Sequence, residues 1–156
     1  LREQVPIRDL LTILETLADW SPAVKDLDIL TEHVRHALSR TITKMHLTPE
    51  GHIAAITLGH SMESTISGAL QQTDHGSFLS LDPSVAQQMM NNLAAILEKM
   101  SSLNYQPVVM CSSQIRYHVK RLIDRFMPHM VVLSYDEILS NVEIQSLDML
   151  ELSHAD

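Results

Sequence analysis

Apolar positions in the first part of the chain recur at helical spacing. Ile7, Leu10, Leu11, Leu14, Leu17 and Ala18 fall on one face, and Pro6 stands where a helix could open, since its missing N–H would have no intrahelical partner there. That face needs cover, and the next helix is expected to supply it. The first helix ends near Asp19-Trp20, because Ser21-Pro22-Ala23 is a turn signal. Asp26 or Asp28 can cap the second helix. Its one side carries Leu27, Leu30, Val34, Ala37, Leu38, Thr41, Ile42 and Met45; the other carries Asp28, Glu32, Arg35, His36, Ser39 and Arg40. The two helices are expected to pair face to face.

The period changes at His46-Leu47-Thr48-Pro49-Glu50-Gly51, which divides a helical unit, 1–46, from an α/β unit, 47–156. Ile53 to Leu58 is a short apolar run ended by Gly59, the pattern of a buried strand. Ser61 can cap a helix with Met62, Ile66, Ala69 and Leu70 inward, and Thr73 to Ser77 breaks it. Phe78 to Leu81 is extended. Asp82-Pro83 opens a long helix running to about Leu103. Pro107 to Cys111 is a second strand, with Ser112 or Ser113 capping a helix that turns Ile115, Val119, Leu122, Ile123 and Phe126 inward. Val131 to Leu133 is a third strand, Tyr135 to Ile138 a turn of helix, Val142 to Gln145 an edge strand, and the tail from Ser146 is acidic. The predicted fold is mixed α/β, a helical unit followed by a small domain with a mostly parallel sheet covered on both faces.

At 156 residues and 45% apolar content the chain can bury a core without disulfide or metal. Cys111 is the only cysteine, so no internal disulfide forms, which fits a reducing compartment. No apolar run approaches a membrane span, and no signal peptide is read. The chain opens on Leu1 directly before a helix, which suggests a piece of a longer protein. Residues 1–46 hold six basic residues against seven acidic, a net of −1; residues 47–156 hold five against twelve, a net of −7. That balance argues against nucleic acid as a partner.

Candidate chemistry is sparse. Gly59-His60-Ser61-Met62-Glu63 imitates the nucleophile elbow of a serine hydrolase, but Glu63 replaces the second glycine and one strand alone precedes Ser61. His33 and His36 sit three apart, yet no third ligand follows, so no metal site is read. Cys111 lacks a partner for dithiol chemistry, and Gly51, Gly59, Gly68 and Gly76 are too scattered for a phosphate loop. No cofactor is expected. Arg116, Lys120, Arg121 and Arg125 share one helix and could form an electrostatic docking strip for a protein partner.

Several blocks, in order, resemble the large FlhA/SctV export-gate family of type III secretion: Val5 to Leu10 with Thr12 to Ala18, Lys25-Asp26, Leu30 to Arg35, Ala37-Leu38, Arg40, Gln71 to Thr73, Phe78 to Pro83, and Val132 to Ile138. The resemblance implies the later half of the third cytoplasmic subdomain (1–46) and a thioredoxin-like fourth subdomain (47–156). It also implies a non-catalytic docking platform on the cytoplasmic face of the bacterial inner membrane, anchored through an N-terminal region outside this chain. The implied partners are other export-apparatus proteins, export chaperones and secreted substrates, and the implied assembly is a nonameric ring. The opening block and Gln71 to Gly76 look more flagellar than injectisome. Ring or subdomain contacts are expected from Arg8, Asp9, Glu15, Glu32, Arg35 and Arg40. A first helix cut from a larger subdomain should expose Ile7, Leu11 and Leu14.

Overall fold

A computed structural model describes residues 1–73 and 76–152. Six helices and six strands follow in the order α1 (Leu10–Trp20), α2 (Leu27–Ala37), α3 (Ser39–Met45), β1 (Ile53–Leu58), α4 (His60–Gly68), β2 (Leu70–Thr73), β3 (Gly76–Leu79), α5 (Pro83–Lys99), β4 (Val108–Cys111), α6 (Arg116–Asp124), β5 (Val132–Ser134) and β6 (Ile144–Leu150), with a 3-10 turn at Tyr135–Glu137. The main sheet has the order β5-β4-β1-β6 and is parallel at every pairing; β2 and β3 form a separate antiparallel hairpin.

Strand alternation divides the core. Ile56, Leu58, Val109 and Cys111 point to one face, under Met62 and Ile66 of α4, Met89 and Leu93 of α5, and Ile115 and Val119 beside and on α6. Ile53, Ala55, Val108 and Met110 point to the other, where Leu38, Ile42 and Ile138 cover them. Both faces of β1, β4 and β5 are thus dry, as their apolar runs require, while β6 at the edge stays largely exposed. The helical unit supplies part of that cover: Leu38 and Ile42 belong to the same cluster as the strands.

Pro6 does not open α1. The helix starts at Leu10, capped by Asp9, whose carboxylate accepts from the Thr12 amide at 3.2 Å and the Thr12 hydroxyl at 2.7 Å. An aspartate three residues on outcompetes proline as the start signal. The second helix is two helices. At Leu38 the backbone leaves the helical region (φ −93, ψ 17), and the Ser39 hydroxyl donates to the His36 carbonyl. The break lets α3 lay Ile42 on the sheet. Nor do α1 and α2 pair leucine face to leucine face. Trp20 stacks on His33 with ring centroids 3.8 Å apart, Thr16 is buried, and Ile13 is half-buried. Leu10, Leu11 and Leu14 point away.

Ser61 caps nothing: Gly59 is the N-cap of α4 and no side chain bonds its first turn. Likewise Ile115, not Ser112 or Ser113, precedes α6. Ala69 and Leu70 leave the helix, since α4 ends at Gly68, a weak helix former, and Leu70 begins β2. The hairpin turns back at Gly76, whose φ of 114 suits glycine; Asp74 and His75 lie outside the described residues. The last strand runs from Ile144 to Leu150, so Ser146 onward is not simply a tail; a register shift between Ala55 and Ile56 accommodates it beside β1. Asp82 caps α5 through the Ser84 amide, with Pro83 at its first position, as the pattern indicates.

Candidate functional site

The charged residues singled out in the sequence converge, but with one another. Arg116 opens α6 and is 0% exposed. Its Nε and Nη2 donate to the two Glu32 carboxylate oxygens, its Nη1 and Nη2 to those of Glu3, and Nη1 also to the Val132 carbonyl at 3.0 Å. Arg35, buried on α2, grips Glu137 bidentately at 2.7 and 3.0 Å and lies 3.7 Å from Glu3. Glu137 completes the set, 3.5 Å from Arg116 Nε and accepting from the Ser134 amide in a capping box. Thr43 adds a neutral bond, its hydroxyl donating to the Glu137 carbonyl at 3.1 Å.

Five charges from four separate stretches thus close on one another between the helical unit and the sheet. Taking such ions out of water costs several kcal/mol each, and only dense pairing offsets it. Here every guanidinium is forked onto carboxylates, the geometry arginine suits best. Burial raises the pKa of Glu3, but the Arg116 hydrogen bonds and charge, with Arg35, outweigh it and hold that carboxyl below its ordinary value. For Arg116 burial acts downward, and its bonds to Glu32 and Glu3 raise it further above neutrality. The network is a clamp. His46, beside it, is pushed down by burial and by Arg35 against an opposing pull from Glu137.

This arrangement corrects one expectation. Arg116 and Lys120 cannot belong to a docking strip: Lys120 is 7% exposed, donating to the Met130 carbonyl at 2.7 Å and paired with Asp124 at 2.8 Å. Only Arg121 and Arg125 of the four are exposed. Of the six ring or subdomain candidates, Arg35 bonds Glu137 and Glu32 is held by Arg116, each tying residues 1–46 to residues 47–156. Asp9 caps α1; Arg8, Glu15 and Arg40 are exposed. Glu3 lies before the first predicted helix and Glu137 within the predicted turn at Tyr135 to Ile138, and nothing in their local sequence pairs either with a buried arginine.

The remaining candidates have plain partners. Ser61 donates to the Glu151 carboxylate at 2.7 Å rather than to an imidazole. A Cβ on Gly59 would fall 1.8 Å from a Glu151 carboxylate oxygen, so a larger residue there would make that exposed side chain swing aside. Glu63, in place of the elbow's second glycine, accepts from the Ser112 amide at 2.8 Å and ties α4 to the end of β4. His33 is stacked on Trp20. Cys111 is fully buried, and burial pushes its thiol well up, which makes it inert as a nucleophile. Among the described residues no cluster of His, Cys, Asp or Glu could hold a metal, and no helix is long and apolar enough to cross a membrane.

Exposed apolar residues recur on α1 and just before it. Leu11 is 68%, Leu14 55% and Ile7 50% exposed, as expected of a helix lacking a partner on that side. Leu10 and Leu27 extend the same exposure.

These features define a mixed α/β module whose central charges join its own parts and whose surface carries an uncovered leucine face. The chain belongs to the FHIPEP family, whose model matches residues 1–143. It is 37% identical over 152 residues to the flagellar biosynthesis protein FlhA of Bacillus subtilis, covering 97% of this chain and 22% of that protein. To protein MxiA of Shigella flexneri it is 38% identical over 138 residues, 88% of this chain and 20% of that one. Among solved structures, the Chlamydia pneumoniae CdsV protein superposes with a TM-score of 0.86 at 34% identity, over 96% of this chain and 43% of that one. Nonameric EPEC SctV-C gives 0.79 at 33% identity, over 94% and 44%. The chain therefore spans about a fifth of the curated relatives' length.

Proposed function

We propose that this chain is part of the cytoplasmic docking platform of a type III protein export gate, receiving substrates and chaperone–substrate complexes for export. The observation that carries the reading is the family match across residues 1–143, together with relatives of flagellar and secretion systems that align over nearly the whole chain. The role is one of binding, not catalysis: Ser61 is engaged by a carboxylate, and the buried charges form a clamp. We place it at the cytoplasmic face of the inner membrane, in a nonameric ring, because solved relatives are described as the nonameric EscV cytosolic domain and nonameric SctV-C. A relative solved as a complex of CdsV and CdsO supports partners from the export apparatus. The flagellar branch is favoured by the wording of the opening block and of Gln71 to Gly76 in the sequence. The division at residue 46 into the end of one subdomain and the whole of the next belongs to the same proposal. Arg8, Asp9, Glu15 and Arg40 are the residues that face outward for ring contacts.

Charge reversal at Arg8 and Arg40 in the full-length protein tests this, read by ring assembly and by export of filament subunits into the medium. The expected result is loss of rings and of export with the fold intact by circular dichroism. Normal rings would overturn the assignment of these residues. Normal export and motility after deletion of residues 1–152 from the full-length protein would overturn the function.

A further inference from the structure

The β2–β3 hairpin stands apart from the main sheet, and among the described residues β3 pairs with β2 alone. Its outer edge is open, the situation in which another extended chain can add. Ser77 and Leu79, with Leu81 beyond, form one wall of a groove of about 240 Å³. The other wall is α6, with His118, Arg121, Leu122 and Arg125. That volume is below the roughly 300–1,000 Å³ of small-molecule sites, and suits the side chains of a docked segment.

The charge of this groove is inverted against its surroundings. Residues 47–156 hold five basic residues against twelve acidic, yet no acidic residue lines it. Arg121 bonds the Tyr117 hydroxyl at 3.4 Å and sits 5.7 Å over that ring, contacts that orient the guanidinium without neutralising it. Arg125 makes no ion pair among the described residues. Past Ser77 and His118 the adjoining groove turns acidic, with Asp26, Asp28 and Glu32 on its wall, so an acidic segment is confined to the α6 end.

We propose that the groove between β3 and α6 docks an extended segment of a partner protein in which acidic and apolar residues alternate. Its carboxylates meet Arg121 and Arg125, its apolar side chains meet Leu79 and Leu81, and its main chain runs along the open edge of β3. This deepens the docking reading above and rests on it for the partner being a protein.

The test is fluorescence anisotropy of a labelled, acetylated short peptide alternating Asp with Val, against the same peptide with Lys for Asp, on the whole chain at low salt. The expected result is saturable binding of the acidic peptide alone, weakened roughly tenfold or more by R121E/R125E and less by R121Q/R125Q. Both positions are exposed, so an unchanged far-UV spectrum should accompany the loss. Equal binding of the two peptides, no binding of either, indifference to R121E/R125E, or displacement by millimolar inorganic phosphate would each overturn the proposal. Failure here with export still dependent on the full-length protein counts against this groove alone; intact peptide binding with export unaffected by deletion counts against the docking function alone.

Discussion

Arg116 illustrates how much depends on one side chain. It bonds Glu3, Glu32 and the Val132 carbonyl at once from a fully buried position. Truncating it leaves two carboxylates facing a cavity, so R116A should cost about 3–5 kcal/mol in urea denaturation. A loss under about 1 kcal/mol would mean that the network adds nothing beyond shape. Acid should act through the same residues. His46 is depressed below its ordinary 6.5, so the stability it contributes is full above that pH and declines as pH falls through its folded value. Glu3 is depressed below its ordinary 4.5, so its share is lost at still lower pH. The melting temperature should therefore fall in two stages on acidification; His118, which burial and Arg121 also hold below 6.5, shares the first with His46, so H46N/H118N should remove it. A melting temperature flat from neutrality to pH 4.5 would contradict this.

Elements were legible where periodicity and capping agreed. Asp82-Pro83 opens α5, and the continuous apolar runs are β1 and β4, because no competing local signal exists there. Boundaries failed where tertiary packing overrode the pattern. The second helix breaks at Leu38 so that Ile42 can reach the sheet, and β2 follows Gly68 where an inward helix face could also be read. The ionic clamp left a trace that went unread. Arg116 lies three and seven positions before Val119 and Ile123, so it falls on the inward face of α6. Arginine in that register signals burial with partners, but which carboxylates answer it depends on contacts 84 to 113 residues apart. On α1 the uncovered face makes a different prediction. L11E/L14E should change stability by no more than about 0.5 kcal/mol, since neither side chain is packed. A loss beyond about 2 kcal/mol would show that the face is covered in the isolated chain.

At the scale of the molecule, the helical unit and the α/β unit share both a core cluster and the clamp. A joint of this kind suits the proposed docking platform, whose surfaces would hold a fixed relation to neighbouring copies. It also implies that the two units unfold together. Trp20, the only tryptophan, sits on α1 against His33 and reports the helical unit, while far-UV circular dichroism is dominated by the remaining helices and the sheet. The most direct measurement is equilibrium denaturation of the whole chain followed by both signals. Coincident transitions are predicted for the native chain, with Trp20 fluorescence changing ahead of the dichroism in R116A. A Trp20 transition that already precedes the other in the native chain would contradict the clamp.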